Sequence, residues 1–345
     1  MKRFALTAGL IFCLPAALLA QMRELSFYEV QPKKSDIVLD GKLDEAAWKD
    51  IPVHRDYYEY FKSDPRPSPL KTEFRMVYDD KGLYMAVINY DDHTDKLKRE
   101  VTEFDNGWLW TDDCGEFYFD TEANGLGYTK FTINANAARA DMRRLDTAVT
   151  LEDWSGAGWL ASASVNKDSW VLEVFFPWED LGAVAKAASL WQFCHARYAY
   201  SSGKFVGAAS SPGGNYAATD KFGYLYFSTG KEKLDPMTVG RILATKARPP
   251  WCIPCGEQLI SCSGAKVKAD DLTMLLAQEK EKFHQALLEL DALNAKDFAK
   301  TAGRLRKNVS DAEAIGAMPA IKACMSGSEE IFISRWKILV NQNFN

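Results

Sequence analysis

The stretch Lys71–Asp92 reads KTEFRMVYDDKGLYMAVINYDD, and its reading decides the fold class. Phe74, Met76 and Tyr78 alternate along it, Asp79 to Gly82 supply turn formers, and Leu83, Met85 and Val87 alternate on the return. A period of two puts each apolar set on one face of a strand, so the segment is a β-hairpin with one buried face.

Outward from the hairpin, residues 37–227 consist of short alternating runs broken by turn residues. In CGEFYFD (114–120), Phe117 and Phe119 share one face and Glu116, Tyr118 and Asp120 the other. In DSWVLEVFFPWEDL (168–181), Trp170, Leu172, Val174 and Phe176 share a face before Pro177 opens a short helical turn. SLWQFCHARYAY and DKFGYLYF supply two further strands. Many strands with no helix between successive ones predict a mainly β fold: an antiparallel β-sandwich of immunoglobulin-like or jelly-roll type, over residues 24–230.

The flanks differ. Residues 1–20, MKRFALTAGLIFCLPAALLA, have a basic start, an apolar run and small residues at the end, the construction of a secretory signal peptide cleaved after Ala20. The run is too short for a stable membrane span, so the expected location is secreted or periplasmic. Residues 231–268, rich in turn formers and cysteine, read as a linker or a disulfide-pinned loop. Residues 269–345 read as a helical C-terminal extension, a surface for a protein partner. There Asp270 and Asp271 stand where they can cap a helix carrying Leu272, Leu275, Leu276, Phe283, Leu287 and Leu290. Ser310 and Glu313 have capping-box spacing for a later helix ending near Ser326-Gly327, and EEIFISRWKILV fits helix or strand.

The 345 residues, 47% hydrophobic and 26% charged with a net charge of −5, have globular composition. No basic stripe is present, which argues against a nucleic-acid partner. WCIPC (251–255) has the Cys-x-x-Cys spacing of a thioredoxin-type site but lacks the strand-then-helix context, so Cys252, Cys255 and Cys262 read as staples. Pairing among Cys114, Cys194, Cys252, Cys255, Cys262 and Cys324 does not follow from sequence. The four histidines show no close pair spacing for a metal. Strand-end aspartates do suit Ca²⁺, and Asp91, Asp92 and Asp112 are the candidate ligands of a structural ion; no cofactor is otherwise expected. Asp113 and Glu116 lie too close along one strand edge to flank a glycosidic bond, so no catalytic residue is assigned.

Five phrases in order, IVLDGKLDEAAWKDIP, FRMVYDDKGLYMAVINYDD, WTDDCGEFYFD, WVLEVFFPWEDL and DKFGYLYF, resemble the family nine carbohydrate-binding modules and their relatives, over residues 37–227. The resemblance implies a turn at Gly41, a short helix burying Trp48, and a sugar clamp between Trp110 and Tyr216. It further implies that Glu116 and Asn134 meet sugar hydroxyls, with Asp113 beside them, and that Thr132 stands where a basic side chain can occur. A pyranose has an apolar C–H face and a hydroxyl rim, which suits aromatic walls edged by carboxylates and amides. Trp48, Trp170, Trp178 and Trp191 are assigned to packing, and Trp108 to packing before ligand contact. The expected function is non-catalytic binding of a xylan- or cellulose-type β-glycan end or short stretch in support of polysaccharide breakdown. The alternatives are a component of a glycoside-hydrolysing system and a haem-binding or structural module on the same sandwich.

Overall fold

The computed structural model describes residues 22–60, 66–151, 153–213, 216–293 and 298–344. The expected signal peptide therefore lies outside the described residues. Two compact units are present: Leu25–Lys233, and Leu234–Asn345 joined by the N-terminal stretch through Glu24.

After β1 (Arg23–Glu24), which belongs to the second unit, the first unit runs β2 (Phe27–Pro32), β3 (Tyr58–Glu59), β4 (Thr72–Tyr78), β5 (Gly82–Tyr90), β6 (Cys114–Asp120) and β7 (Tyr128–Asn134). It continues through β8 (Arg139–Arg144), β9 (Thr150–Leu151), β10 (Leu160–Val165), β11 (Ser169–Pro177), β12 (Leu190–Ala199), β13 (Val206–Ala209) and β14 (Gly223–Phe227). The sheet order is β10-β11-β5-β4-β2-β14-β12-β6-β7-β8-β9, with β13 on β12 and β3 on β13. This is the expected β-sandwich, curled from one continuous sheet. The pairing is antiparallel except at β2, which lies parallel to both β4 and β14 and so joins the two layers.

The diagnostic hairpin forms in the expected register, Met76 opposite Met85 and Tyr78 opposite Leu83. Phe74, Met76, Leu83, Met85 and Val87 meet Phe117, Phe119, Trp170, Leu172, Val174 and Phe176 in one core. Burying each such side chain contributes about 1.5–3 kcal/mol. Gly41 takes the left-handed φ of 80° that the turn requires. Trp48 is buried there, its indole N–H donating to Glu173 Oε1 at 3.0 Å.

The second unit contains β1, β15 (Trp251–Cys255), β16 (Gln258–Cys262) and β17 (Val267–Asp271) in the order β1-β15-β16-β17, with helices Pro236–Leu243, Leu272–Asp291, Ala299–Ile315 and Ala317–Phe344. The expected linker is thus replaced by a helix and three strands. Cys252 stands opposite Ser261, Cys255 opposite Gln258 and Trp251 opposite Cys262. Residues three apart in a strand face opposite ways, so Cys252 and Cys255 cannot act as a pair, and all three thiols are free. Burial pushes the Cys252 thiol up to about 12 and Cys255 up to about 11, the reverse of an activated redox thiol.

Asp271 caps its helix as expected, its side chain accepting from Met274 N–H at 2.8 Å. Ser310 lies inside the second long helix and Ser326-Gly327 inside the third, so the expected cap and stop are corrected; the break falls at Gly316. EEIFISRWKILV is helix. No described helix is long and apolar enough to cross a membrane.

Candidate functional site

Asn106 to Asp113, NGWLWTDD, forms a turn leading into a single helical turn, Leu109–Thr111, just before β6. Leu109 is buried and anchors the turn, and the Asn106 side chain accepts from Trp108 N–H at 2.9 Å. The flanking indoles point outward: Trp108 is 66% and Trp110 42% exposed, with ring centroids 6.0 Å apart and planes inclined at 33°. Trp110 matches its expected exposure. Trp108, expected first as packing, is the more exposed of the two; its place after Gly107, outside any alternating run, was the signal in the sequence.

The two aspartates hold this loop. Asp113 accepts from Lys98 N–H at 2.7 Å through Oδ2 and from Tyr200 N–H at 2.9 Å through Oδ1, while its own N–H donates to Lys98 O at 2.7 Å. Burial pushes its carboxyl up, and the backbone donors pull the other way. Asp112 Oδ2 accepts from Val101 N–H and Asn134 Nδ2, each at 2.9 Å. Asn134 also donates to Val101 O at 2.8 Å, and its Oδ1 accepts from Asn136 and Ala138 N–H at 3.0 and 2.9 Å. Both amide hydrogens and both acceptor positions of Asn134 are used, so it fastens the loop and the β7 turn and offers nothing to a ligand.

Glu116 points away from the main core, as the alternation requires, yet it is only 2% exposed. Its carboxylate accepts from the Tyr118 hydroxyl, from the Tyr198 hydroxyl at 3.0 Å, from Lys130 Nζ at 3.2 Å and from Thr132 Oγ1 at 3.4 Å. Tyr216 belongs to the same packed face. It is 2% exposed, stacked on Tyr60 with centroids 3.8 Å apart and planes 19° apart. Its hydroxyl approaches Arg197 O at 3.4 Å and fills the space a side chain at Gly207 would need. The expected second wall is therefore turned inward, because Tyr60 covers the face that a sugar would use.

A chain of aromatics that the sequence reading missed continues beside the indoles. The Tyr200 hydroxyl donates to Trp110 O at 3.2 Å, and Phe205, 40% exposed, packs 5.4 Å from Tyr200 and 5.7 Å from Tyr198. Tyr200 and Phe205 come from the β12–β13 connection, so only the fold brings Tyr200 to Trp110.

The three candidate Ca²⁺ ligands do not converge. Asp91 is taken by Arg197 Nη2 at 3.0 Å and by the Ser201 hydroxyl at 2.9 Å, Asp112 by the loop amides, and Asp92 is exposed. Among the described residues the only metal-compatible cluster is Asp40, Glu45 and Glu173, whose oxygens lie within 4.8 Å of one another. There Glu173 already accepts from Trp48 Nε1 and the Asp40 and Gly41 N–H groups, and Asp40 pairs with Lys42.

In comparisons with known proteins, a family described as carbohydrate family 9 binding domain-like matches residues 39–229. The chain is similar in structure to a proposed carbohydrate-binding protein of Bacteroides uniformis, at 15% identity and a TM-score of 0.49 over 59% of this chain and 100% of that one. It is also similar to a family 9 carbohydrate binding module of Caldicellulosiruptor kristjanssonii in complex with cellotriose, at 15% identity and a TM-score of 0.43 over 61% of this chain and 100% of that one. A family 9 carbohydrate binding module of that organism in complex with glucose gives 15% identity and a TM-score of 0.41 over 60% of this chain and 100% of that one. None of the curated proteins compared matches the chain.

Proposed function

The chain belongs to the carbohydrate family 9 binding domain-like family, and from that premise we propose that it is a non-catalytic protein that binds β-linked glycan against the exposed indoles of Trp108 and Trp110. The observation that carries this reading is two tryptophans held outward by a loop that the buried Asp113, through both its oxygens, and Asp112, through Oδ2, fasten to the backbone. Exposed aromatic surface on a rigid support loses little conformational freedom on binding, and an apolar sugar face gains from covering it.

Asp113 and Glu116 are both buried and both occupied by protein donors, which supports binding without hydrolysis at this place. Xylan- and cellulose-type chains are the proposed ligands, and support of polysaccharide breakdown is the proposed purpose. The basic and apolar pattern of residues 1–20 supports export to a secreted or periplasmic location.

Calorimetry against xylo- and cello-oligosaccharides tests the reading. Trp110→Ala is expected to weaken binding by about tenfold or more, as truncation of a central aromatic contact does. Unchanged affinity in this variant would remove the site, and a glycan array with no bound member would remove the function.

A further inference from the structure

We propose that the chain carries a second sugar-binding site, a groove on the outer face of the β10-β11-β5 layer that shares no lining residue with the indole loop. This rests on the reading above only for the class of ligand, β-linked glycan.

Alternation along β5 sends Tyr84, Ala86, Ile88 and Tyr90 to the outer face of the layer. Tyr84 and Ala86 are covered there, because Trp48 and Ile51 from the segment before β3 pack with them and with Val77. That segment is seated firmly on the sheet at Gly41, where a Cβ would lie 2.9 Å from Ala163 C. The next two rungs are left open. Ile88 stands opposite Val171, Val171 opposite Ser164, and Tyr90 opposite Ser169. Together with Leu43 and Asn166 they line a groove of about 340 Å³, within the size range of small-ligand sites.

The lining matches the two sides of a pyranose. Leu43, Ile88 and Val171 form an apolar floor, and the Tyr90 ring stands beside it, steadied by Lys71 Nζ at 3.9 Å from its centroid. Ser164 Oγ donates to Gly41 O at 2.6 Å, so toward a ligand it accepts. The Asn166 side-chain amide, exposed and bonded to no described residue, can both donate and accept. A sugar ring brings a C–H face for the floor and the aromatic ring, and hydroxyls that both give and take hydrogen bonds. An added peptide strand does not suit this place: β11 is already paired on both sides, with β10 and with β5, so its backbone has nothing left to offer one.

The test is nuclear magnetic resonance of the full, isotope-labelled chain titrated with cellobiose and with xylobiose. The backbone amide signals of Ile88, Asn166 and Ser169 are expected to move with added sugar and to go on doing so in Trp110→Ala. Asn166→Ala is expected to weaken the groove titration several-fold and Tyr90→Ala about tenfold, both leaving the titration of the Trp108 and Trp110 indole N–H signals unchanged. Asn166 is exposed, so its variant keeps the native thermal midpoint and carries the test should Tyr90→Ala fail to fold. Indole signals that move while the groove amides stay still, groove amides that stop responding in Trp110→Ala, or a groove titration that neither variant weakens each overturn this inference and leave the reading above intact. Groove amides that respond alone uphold it and remove the indole site. No response to either sugar at either place overturns both.

Discussion

Arg197 and Asp91 form a buried ion pair at 3.0 Å, and Arg197 also donates to Lys71 O and Thr72 Oγ1. Two residues away His195, 0% exposed, shares its Nδ1 with the Tyr57 hydroxyl at 2.6 Å. Alternation along β12 announced which faces these side chains take, but nothing in the sequence marked the arginine or the histidine as interior. Their burial is tolerated because partners arrive from β4, from the end of β5 and from the segment before β3. Burial, with the Arg197 charge second, holds the His195 imidazole down at about 3 from an ordinary 6.5. A base depressed on folding contributes stability that is full above its unfolded pKa and is lost as pH falls, here from 6.5 toward about 3. The slope is roughly 1.4 kcal/mol per pH unit for one group. Asp113, Asp120, Asp141 and Glu173, all raised by burial, contribute in the opposite sense: their stability is present at low pH and lost as pH rises through their folded values. Comparison with a Tyr57→Phe/His195→Phe variant isolates the histidine. Denaturant titrations between pH 6.5 and 5 should show the native chain losing about 1–2 kcal/mol more than the variant; parallel pH profiles would refute this.

At the scale of elements, the loop before β6 shows why so much charge stands beside so much aromatic surface. Asp112 and Asp113 serve as acceptors for the N–H groups of residues 98, 101 and 200, and so hold open a turn that no sheet pairing supports. Asp113→Ala leaves the Lys98 and Tyr200 amides without their acceptor, at a cost of about 1–3 kcal/mol. Its glycan affinity should fall several-fold although Asp113 itself meets no sugar. Asp113→Asn, which keeps one acceptor oxygen, should recover part of the stability, and equal urea midpoints for native and Asp113→Ala protein would count against the pinning role. The strands were legible because hydrophobic alternation is a local signal. The WCIPC segment was not, because a short strand in a second sheet is stabilised by neighbours far along the chain: Trp251 pairs with Cys262 and with Arg23.

For the whole molecule, the two units have separate cores. The sandwich closes around Phe117, Phe176 and Trp170, and the second unit around Phe283, Leu287 and Ile331 and around Cys252, Ile321 and Met325. The first is large enough to fold on its own core. A chain trimmed to residues 25–233 is expected to unfold cooperatively and to keep its oligosaccharide affinity, measured by circular dichroism and calorimetry. A trimmed chain that stays folded but does not bind would place part of the site elsewhere. The second unit in turn needs residues 23–24, because β1 pairs with β15 and Glu24 forms an ion pair with Lys322.

By itself the sequence determined the sandwich, its core-facing residues, the exposed position of Trp110 and the Asp271 helix cap. All of these follow from periodicity, turn chemistry and the motif order along contiguous residues. Only the tertiary structure decided that Trp108 shares the open face, that Tyr216 and Glu116 turn inward, that Asn134 is spent on a loop, and that the cysteine-rich segment forms strands. Each depends on which distant side chain arrives to cover a surface or satisfy a polar atom: Tyr60 on Tyr216, Tyr198 on Glu116, Val101 on Asn134. A pattern along the chain records a residue's preferred face, and burial of that face is settled by what folds against it.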